Sequence, residues 1–314
     1  MTSYRELREK TFDVDPWIID GFLPIGLSLF AGRPKVKKSY AVLQVARAVA
    51  TGTKVWGFRA HKGKVAWFDL DGDDQLMQER TEQQDWPKSC RVDFNHDRQA
   101  LGNLRTPEAL ARFEATITQG KYRLVVIDPF DRLFMGVNLR QADKVVTALE
   151  PIQQMALRLA LAIVIIDHNR KMSEYRLQFA LSQDPVEDVK DSTAKTANAD
   201  NIYGLYQDHG NNKGVLAMTG RRVIERTMHM RFDSPSGKWS PTSVPDRLEA
   251  YPTLKPLVEL LREGKPMTNE QLAEQLKWRP PTTLKRIRKA VDLGFVKERE
   301  KEEGRGNMYA SQSL

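Results

Sequence analysis

The sequence predicts an α/β fold: a mostly parallel, doubly wound sheet built around a P-loop, with a small C-terminal winged helix-turn-helix behind it. Three observations predict this. Leu124–Ile127 and Leu161–Ile166 are continuous apolar runs rather than alternating ones, the mark of strands covered on both faces. Segments of helical period lie between such runs, as crossover connections require. Finally, Gly32-Arg33-Pro34-Lys35-Val36-Lys37-Lys38-Ser39 follows an apolar strand and opens a helix. It fits G-x-x-x-x-G-K-[ST] except that Lys37 stands where the second glycine belongs.

Residues 1–22 read as an irregular lead-in, with Trp17, Ile18 and Ile19 held by the core. Leu27–Phe30 is a strand. Lys38–Thr51 is a helix whose Val42, Leu43, Val45, Ala46 and Val49 form the buried face. A strand over Lys64–Leu70 and a helix over Gln75–Gln84 follow. Thr106 is an N-cap, with Pro107 at the first helical position and Glu108 after it. Arg123–Ile127 is a strand tipped by Asp128, Gln141–Leu157 a long helix, and Leu161–Ile166 a strand ending in Asp167-His168. The polar stretch from Arg170 to Ser192 is a loop of the length usually tied to function or disorder. Asn201–Tyr206, Val215–Thr219 and Met228–Phe232 read as an antiparallel extension of the sheet.

The Pro/Ser-rich stretch Ser234–Pro245 marks a boundary between domains over 1–240 and 250–314. Beyond it, Leu257–Arg262 is helical, and Thr268–Gln271 is a capping box opening a second helix with Leu272 and Leu276 inside. Pro280-Pro281-Thr282 opens a third helix, with Leu284, Ile287 and Val291 inward. Phe295–Glu300 and Asn307–Ser311 pair across the polar tip Lys301–Gly306, which completes the winged helix.

Forty per cent of the 314 residues are apolar, enough for a real core. A formal net charge of +8 favours a polyanionic partner, most simply nucleic acid, although a basic soluble enzyme has the same balance. Cys90 is the only cysteine, so neither an intrachain disulfide nor a cysteine-rich zinc site is expected, and the five histidines lack ligand spacing. No apolar run reaches the roughly 20 residues of a membrane span, and no signal-peptide pattern opens the chain. The expected compartment is reducing and cytoplasmic.

A P-loop wraps phosphates with backbone N–H groups and a helix N-terminus. Lys38 would reach the β- and γ-phosphates of ATP and Ser39 would ligate Mg²⁺, with Asp128 as the acid that holds the metal shell. Lys37 places a β-carbon where the backbone needs a positive φ, at a cost of about 1–2 kcal/mol. Either Lys35 and Lys37 compensate with charge, or the site binds or turns over nucleotide poorly. Asp71 would orient the attacking water, or belongs to an acidic cluster that caps the next helix. His168 is placed to sense a γ-phosphate, or is a strand-end histidine satisfied by backbone. Lys285, Arg286, Arg288 and Lys289 project from the third C-terminal helix, as for major-groove entry or as the charged face of a protein-binding module. Arg299, Lys301 and Arg305 in the wing would hold phosphates.

These residues resemble the RepA-type replicative helicases of plasmids and phages, which are RecA-like, AAA-type ATPases. The likeness lies in Gly21–Val36, in Ala48–Trp56, in Asp128-Pro129, in Asp167-His168-Asn169-Arg170-Lys171, in Thr219–Val223 and in Met230–Asp233, spanning roughly residues 15–235. The resemblance implies a RecA-like core, a hexameric ring with ATP sites between subunits, and nucleotide contacts from Gly32 through Tyr40. It further implies Asp128 as the Walker B acid, His168 as the γ-phosphate sensor, and Arg221 or Arg222 as a finger offered to a neighbour. The loop from Lys171 to about Lys190 would face single-stranded DNA in the ring, with Arg170 and Lys171 as DNA contacts. Two departures, Lys37 for glycine and Asp71 for the family's glutamate, fall on turnover rather than fold. The expectation is a DNA helicase or translocase in replication of a mobile element. The alternative is an impaired initiator or regulatory factor that keeps the core as an oligomerisation scaffold.

Overall fold

In the computed structural model the described residues are 2–11, 15–97, 101, 104, 106–133, 142–169, 185–189, 193–207, 212–242, 253–263, 266–292, 295–299 and 308–311. The chain divides into two compact units, Met1–Thr242 and Ser243–Leu314.

The first unit is built on a nine-stranded sheet in the order β13-β12-β11-β10-β3-β9-β8-β6-β7. Strands β3 (Gly26–Gly32), β6 (Lys64–Asp69), β7 (Val92–Asn95), β8 (Tyr122–Asp128), β9 (Ala162–His168) and β10 (Asn201–Gln207) run parallel. The remaining three, β11 (Lys213–Gly220), β12 (Arg226–Asp233) and β13 (Lys238–Pro241), are antiparallel. The continuous apolar runs have a simple cause: successive residues of one strand feed two different cores. Leu124 and Val126 of β8 join the core around α2 (Lys38–Thr51), whereas Val125 and Ile127 join the core with α4 (Pro107–Gly120) and α6 (Ala142–Arg158). α2 has the predicted limits and α4 the predicted start, where Thr106 caps it by accepting from the Ala109 N–H.

Four readings change. The lead-in contains a capped helix, α1 (Tyr4–Glu9), and a small antiparallel pair, β1 (Trp17–Ile19) with β2 (Leu23–Pro24). β7 is added at one edge of the sheet; its half-buried, alternating Val-Asp-Phe-Asn lacked an apolar run. The Asn201 strand pairs antiparallel to β11, as read, but also parallel to β3, so it joins the extension to the central sheet. Lastly, Ser234–Gly237 is a hairpin turn, and the following β13 belongs to the sheet, so the stretch read as a boundary lies largely inside the first unit.

Trp239 explains that last change. Its side chain is fully buried against α2 and Phe232. The Gln44 amide grips its backbone from both sides: Trp239 N donates to Gln44 Oε1 (2.7 Å) and Gln44 Nε2 donates to the Trp239 carbonyl (3.0 Å).

The second unit contains α9 (Lys255–Glu263), α10 (Asn269–Gln275) and α11 (Pro280–Asp292). A three-stranded antiparallel sheet accompanies them in the order β14 (Met267–Thr268), β16 (Met308–Ser311), β15 (Val296–Arg299). The capping box is present, with Thr268 and Gln271 satisfying each other's backbone N–H groups. Leu257, Leu272, Ile287, Phe295 and Val296 form its core. On α11, Lys285, Arg288 and Lys289 are exposed, but Arg286 lies over the Trp278 ring at 4.0 Å and does not project freely as its position suggested. Leu284 and Val291 are only half-buried, while Thr283 and Ala290 are fully buried.

Replacing Trp239 by Ala removes the plug between β13 and α2. The expected loss is about 3–5 kcal/mol of stability in the first unit, read as a lower denaturant midpoint of the full chain.

Candidate functional site

β3 delivers the chain to the carboxyl edge of the sheet, where ligands of doubly wound folds bind. Gly32, its last residue, packs so closely on β10 that a β-carbon would lie 2.6 Å from the Leu205 carbonyl oxygen. The loop then takes left-handed backbone at two non-glycine residues, Lys35 (φ 68°) and Lys37 (φ 63°, ψ 34°). Left-handed residues turn successive N–H groups inward, which makes an anion-binding concavity at the start of α2. Lys37 thus keeps the conformation that glycine adopts without cost. Its carbonyl accepts from Trp239 Nε1 (3.3 Å), and its ammonium stands 6.0 Å from the Phe232 ring. Lys35 and Lys37 are exposed and Val36 is buried beneath them.

Lys38 is buried, and its Nζ donates to the carbonyls of Gly32 (2.9 Å) and Arg33 (3.0 Å), 3.3 Å from His168 Nδ1. Burial pushes its pKa down to about 8, with Asp128 and Asp167 resisting the fall. Ser39 Oγ donates to Asp128 Oδ2 at 2.7 Å. Burial raises the Asp128 pKa to about 6; the Ser39 hydroxyl opposes this and neighbouring Asp69 adds to it. Lys38, Ser39, Asp128 and His168, named separately from sequence, therefore meet at one place.

The remaining sequence candidates lie elsewhere. β6 ends at Asp69, so Asp71 is not a strand-end residue; its half-exposed carboxylate accepts from Arg132 Nε at 2.7 Å. Pro34 is exposed at the loop tip. The Tyr40 hydroxyl points to α3 (Asp74–Gln83) and donates to Gln83 Oε1. Arg221 and Arg222 follow β11, at the amino end of β3, opposite the P-loop. There Arg221 Nη1 stands 3.3 Å from Asp200 Oδ1. Arg170, Lys171, Lys301 and Arg305 lie outside the described residues, as does the Arg299 side chain.

Sequence reasoning missed three groups. Asp69 is 4% exposed and is the register partner of Asp128. Asp167, with no exposed surface, accepts from the equally buried Lys195 Nζ (2.8 Å) and from the His168 N–H (2.7 Å); burial raises its pKa. Lys195 Nζ also sits 3.9 Å from the Phe130 ring. Away from these, His61 Nε2 lies 2.6 Å from Asp20 Oδ1 and 3.5 Å from Asp15 Oδ2, a grouping of metal-ligating type that residue spacing did not reveal.

Two neighbouring carboxylates, Asp69 and Asp128, on desolvated strand ends beside the Ser39 hydroxyl suit a hard divalent cation with oxygen ligands. The inward N–H groups and buried Lys38 suit a phosphate. The residues present fit ATP with Mg²⁺, with Ser39 and Asp128 toward the metal and Gly32–Ser39 toward the phosphates. No helix among the described residues is long and apolar enough to cross a membrane.

Residues 5–174, more than half of the chain, match the family described as AAA domain. No curated protein matches the chain. Among solved structures, a RadB recombinase is 15% identical at a TM-score of 0.49, with 71% of this chain and 93% of that one covered. A KaiC-like protein from Pyrococcus horikoshii OT3 is 11% identical at the same TM-score of 0.49, with 72% and 94% covered.

The Lys38 environment predicts a titration. In ¹⁵N-lysine NMR of the nucleotide-free protein, the Lys38 amine should lose its proton near pH 8, well below the ordinary lysine range. Asp128 is anionic at that pH and favours the ammonium, so Asp128→Asn should move the midpoint lower still.

Proposed function

The chain belongs to the AAA domain family, and we propose that it is a nucleotide-dependent ATPase that works on DNA, as a helicase or translocase in replication of a mobile genetic element. The convergence of Lys38, Ser39, Asp128 and His168 on one sheet edge carries the ATPase reading. Lys38 contacts the β- and γ-phosphates, Ser39 and Asp128 hold Mg²⁺, and His168 senses the γ-phosphate. His168 is well placed to pass that signal on, because its N–H is tied through Asp167 to Lys195 in α8 (Thr193–Asn198). Arg221 and Arg222 lie at the edge opposite their own P-loop, which favours their acting on a neighbouring subunit's nucleotide in a ring, taken as a hexamer. Arg170 and Lys171 belong to the segment that faces single-stranded DNA.

The second unit acts as a winged helix on duplex DNA. Its three helices and three-stranded sheet support this, with exposed Lys285, Arg288 and Lys289 on α11 toward the groove or phosphates. Arg286 takes part less directly because it is stacked on Trp278.

A second reading keeps DNA binding and oligomerisation but drops turnover. The observation behind it is Lys37, a β-carbon-bearing residue in left-handed backbone within the phosphate loop.

Steady-state ATPase assays separate the two. Hydrolysis stimulated by single-stranded DNA, and lowered at least about 100-fold by Lys38→Ala, is expected. A folded wild-type chain without turnover that gains it on Lys37→Gly would establish the second reading. Lys285→Glu with Arg288→Glu should weaken duplex binding and reduce the slope of log affinity against log salt by about 2, roughly one per lost phosphate contact. An unchanged slope would remove α11 from the DNA interface.

A further inference from the structure

We propose that the cleft beside the C-terminal half of α2 binds a small oxyanion of the phosphate class, at a site separate from the phosphate loop. The inference goes beyond the ATPase reading and concerns other residues.

The cleft has a volume of about 190 Å³ and is walled by α2, by β4 (Lys54–Val55) with the turn after it, and by β13. Three of its lining residues, Arg47, Lys54 and Lys238, are cations, and none is acidic. One acid stands nearby. Asp85 Oδ2 accepts from Lys238 Nζ at 2.8 Å, and Arg47 acts on the same carboxylate at longer range. Arg47 Nη2 reaches only the Asp85 carbonyl, at 3.4 Å, and Arg47 Nε is buried with no hydrogen-bond partner. The exposed Lys54 ammonium forms no ion pair or hydrogen bond among the described residues.

The charge balance decides the class of ligand. A helix C-terminus carries roughly half a negative charge, which works against an anion here. The Ala48 carbonyl on that wall is already taken by the Gly52 and Thr53 N–H groups, at 2.8 and 3.1 Å. Three cations against one carboxylate and that half charge leave an excess of about +1.5. A buried, underbonded guanidinium beside such an excess calls for acceptor oxygens. A phosphate group presents them in the arrangement that a guanidinium fork matches. Clefts for drug-sized ligands measure about 300–1,000 Å³, so this one suits a single small ion rather than a whole nucleotide.

The walls are set before any ion arrives. The Trp239 carbonyl accepts from Trp56 Nε1 (2.9 Å) and Gln44 Nε2 (3.0 Å). Gln84 Nε2 donates to the carbonyls of Tyr40 (2.9 Å) and Gly237 (2.7 Å). With these donors committed to backbone, the cations are left to meet a ligand, and little ordering is needed when it binds.

The test is a calorimetric titration of the full chain with inorganic pyrophosphate at low salt. Pyrophosphate also fits the phosphate loop, so the titration uses Lys38→Ala. One site with a Kd of about 1 mM or tighter should remain. Adding Arg47→Gln or Lys54→Glu should weaken it at least about tenfold. A Lys38→Ala chain that binds no pyrophosphate overturns the proposal, as does residual binding that neither second substitution weakens. If Arg47→Gln lowers the denaturant midpoint, Lys54→Glu, at an exposed position, decides alone. If Lys38→Ala fails to fold, the same substitutions are compared in the wild-type chain saturated with an ATP analogue. Competition identifies the source of the phosphate: an oligothymidylate that displaces pyrophosphate from the Lys38→Ala chain assigns the site to a nucleic-acid backbone, and one that does not assigns it to a free ion. A Lys38→Ala chain that keeps full affinity for the ATP analogue counts against the ATPase reading and leaves this site standing.

Discussion

The lateral register of the central parallel strands is the constraint on which the site depends. Gly32 pairs with His168, Ala31 with Asp167, and Asp69 with Asp128. A parallel ladder buried on both faces cannot slip by one residue without exchanging the contents of its two cores. Leu29 and Ile165 face one core while Phe30 and Ile166 face the other, so a slip would misplace an entire row of aliphatic side chains. Packing far from any phosphate therefore holds Lys38, Asp128 and His168 level with one another. The chemistry at the edge needs only short polar extensions from a frame fixed by apolar contacts.

That frame also explains the electrostatics. Strand ends buried on both sides are poorly solvated, so each charge there must find a partner. Asp167 finds Lys195, while Lys38 turns back onto the carbonyls of its own loop. Asp69 and Asp128 share one neighbourhood with the Ser39 hydroxyl, within electrostatic reach of Lys38 and Arg80. The result is a pair of close carboxylates beside a loop of inward amides, the combination a metal-bound polyphosphate complements.

Much of this was legible in the sequence, and the misses share a cause. The limits of α2 and the Thr106 cap follow from local rules of periodicity and capping, and the parallel sheet follows from uninterrupted apolar runs. Lys38, Ser39, Asp128 and His168 could be named because each sits next to such a run. Asp69 could not be separated from three aspartates around it, since only burial and register distinguish them. Lys195 carries no local mark, because its partner lies 28 positions away. Trp239 was hidden in a stretch rich in proline and serine that reads as a linker, and only the ladder with β12 turns it into a core residue. Arg286 sat among other cations, and its stacking on Trp278 depends on the turn between two helices.

The contact of Trp239 with Lys37 has a further consequence for how the protein comes into being. The indole that binds the left-handed Lys37, and the strand that carries it, lie 202 positions after that residue and are the last parts of the first unit. During synthesis the ribosome must release some 200 more residues before the loop can meet the group that steadies it. A growing chain that already holds Gly32 through Ser39, with β3 and α2 beside them, still lacks the partner of the left-handed Lys37. The finished geometry of this loop is therefore reached only after β13 has been made.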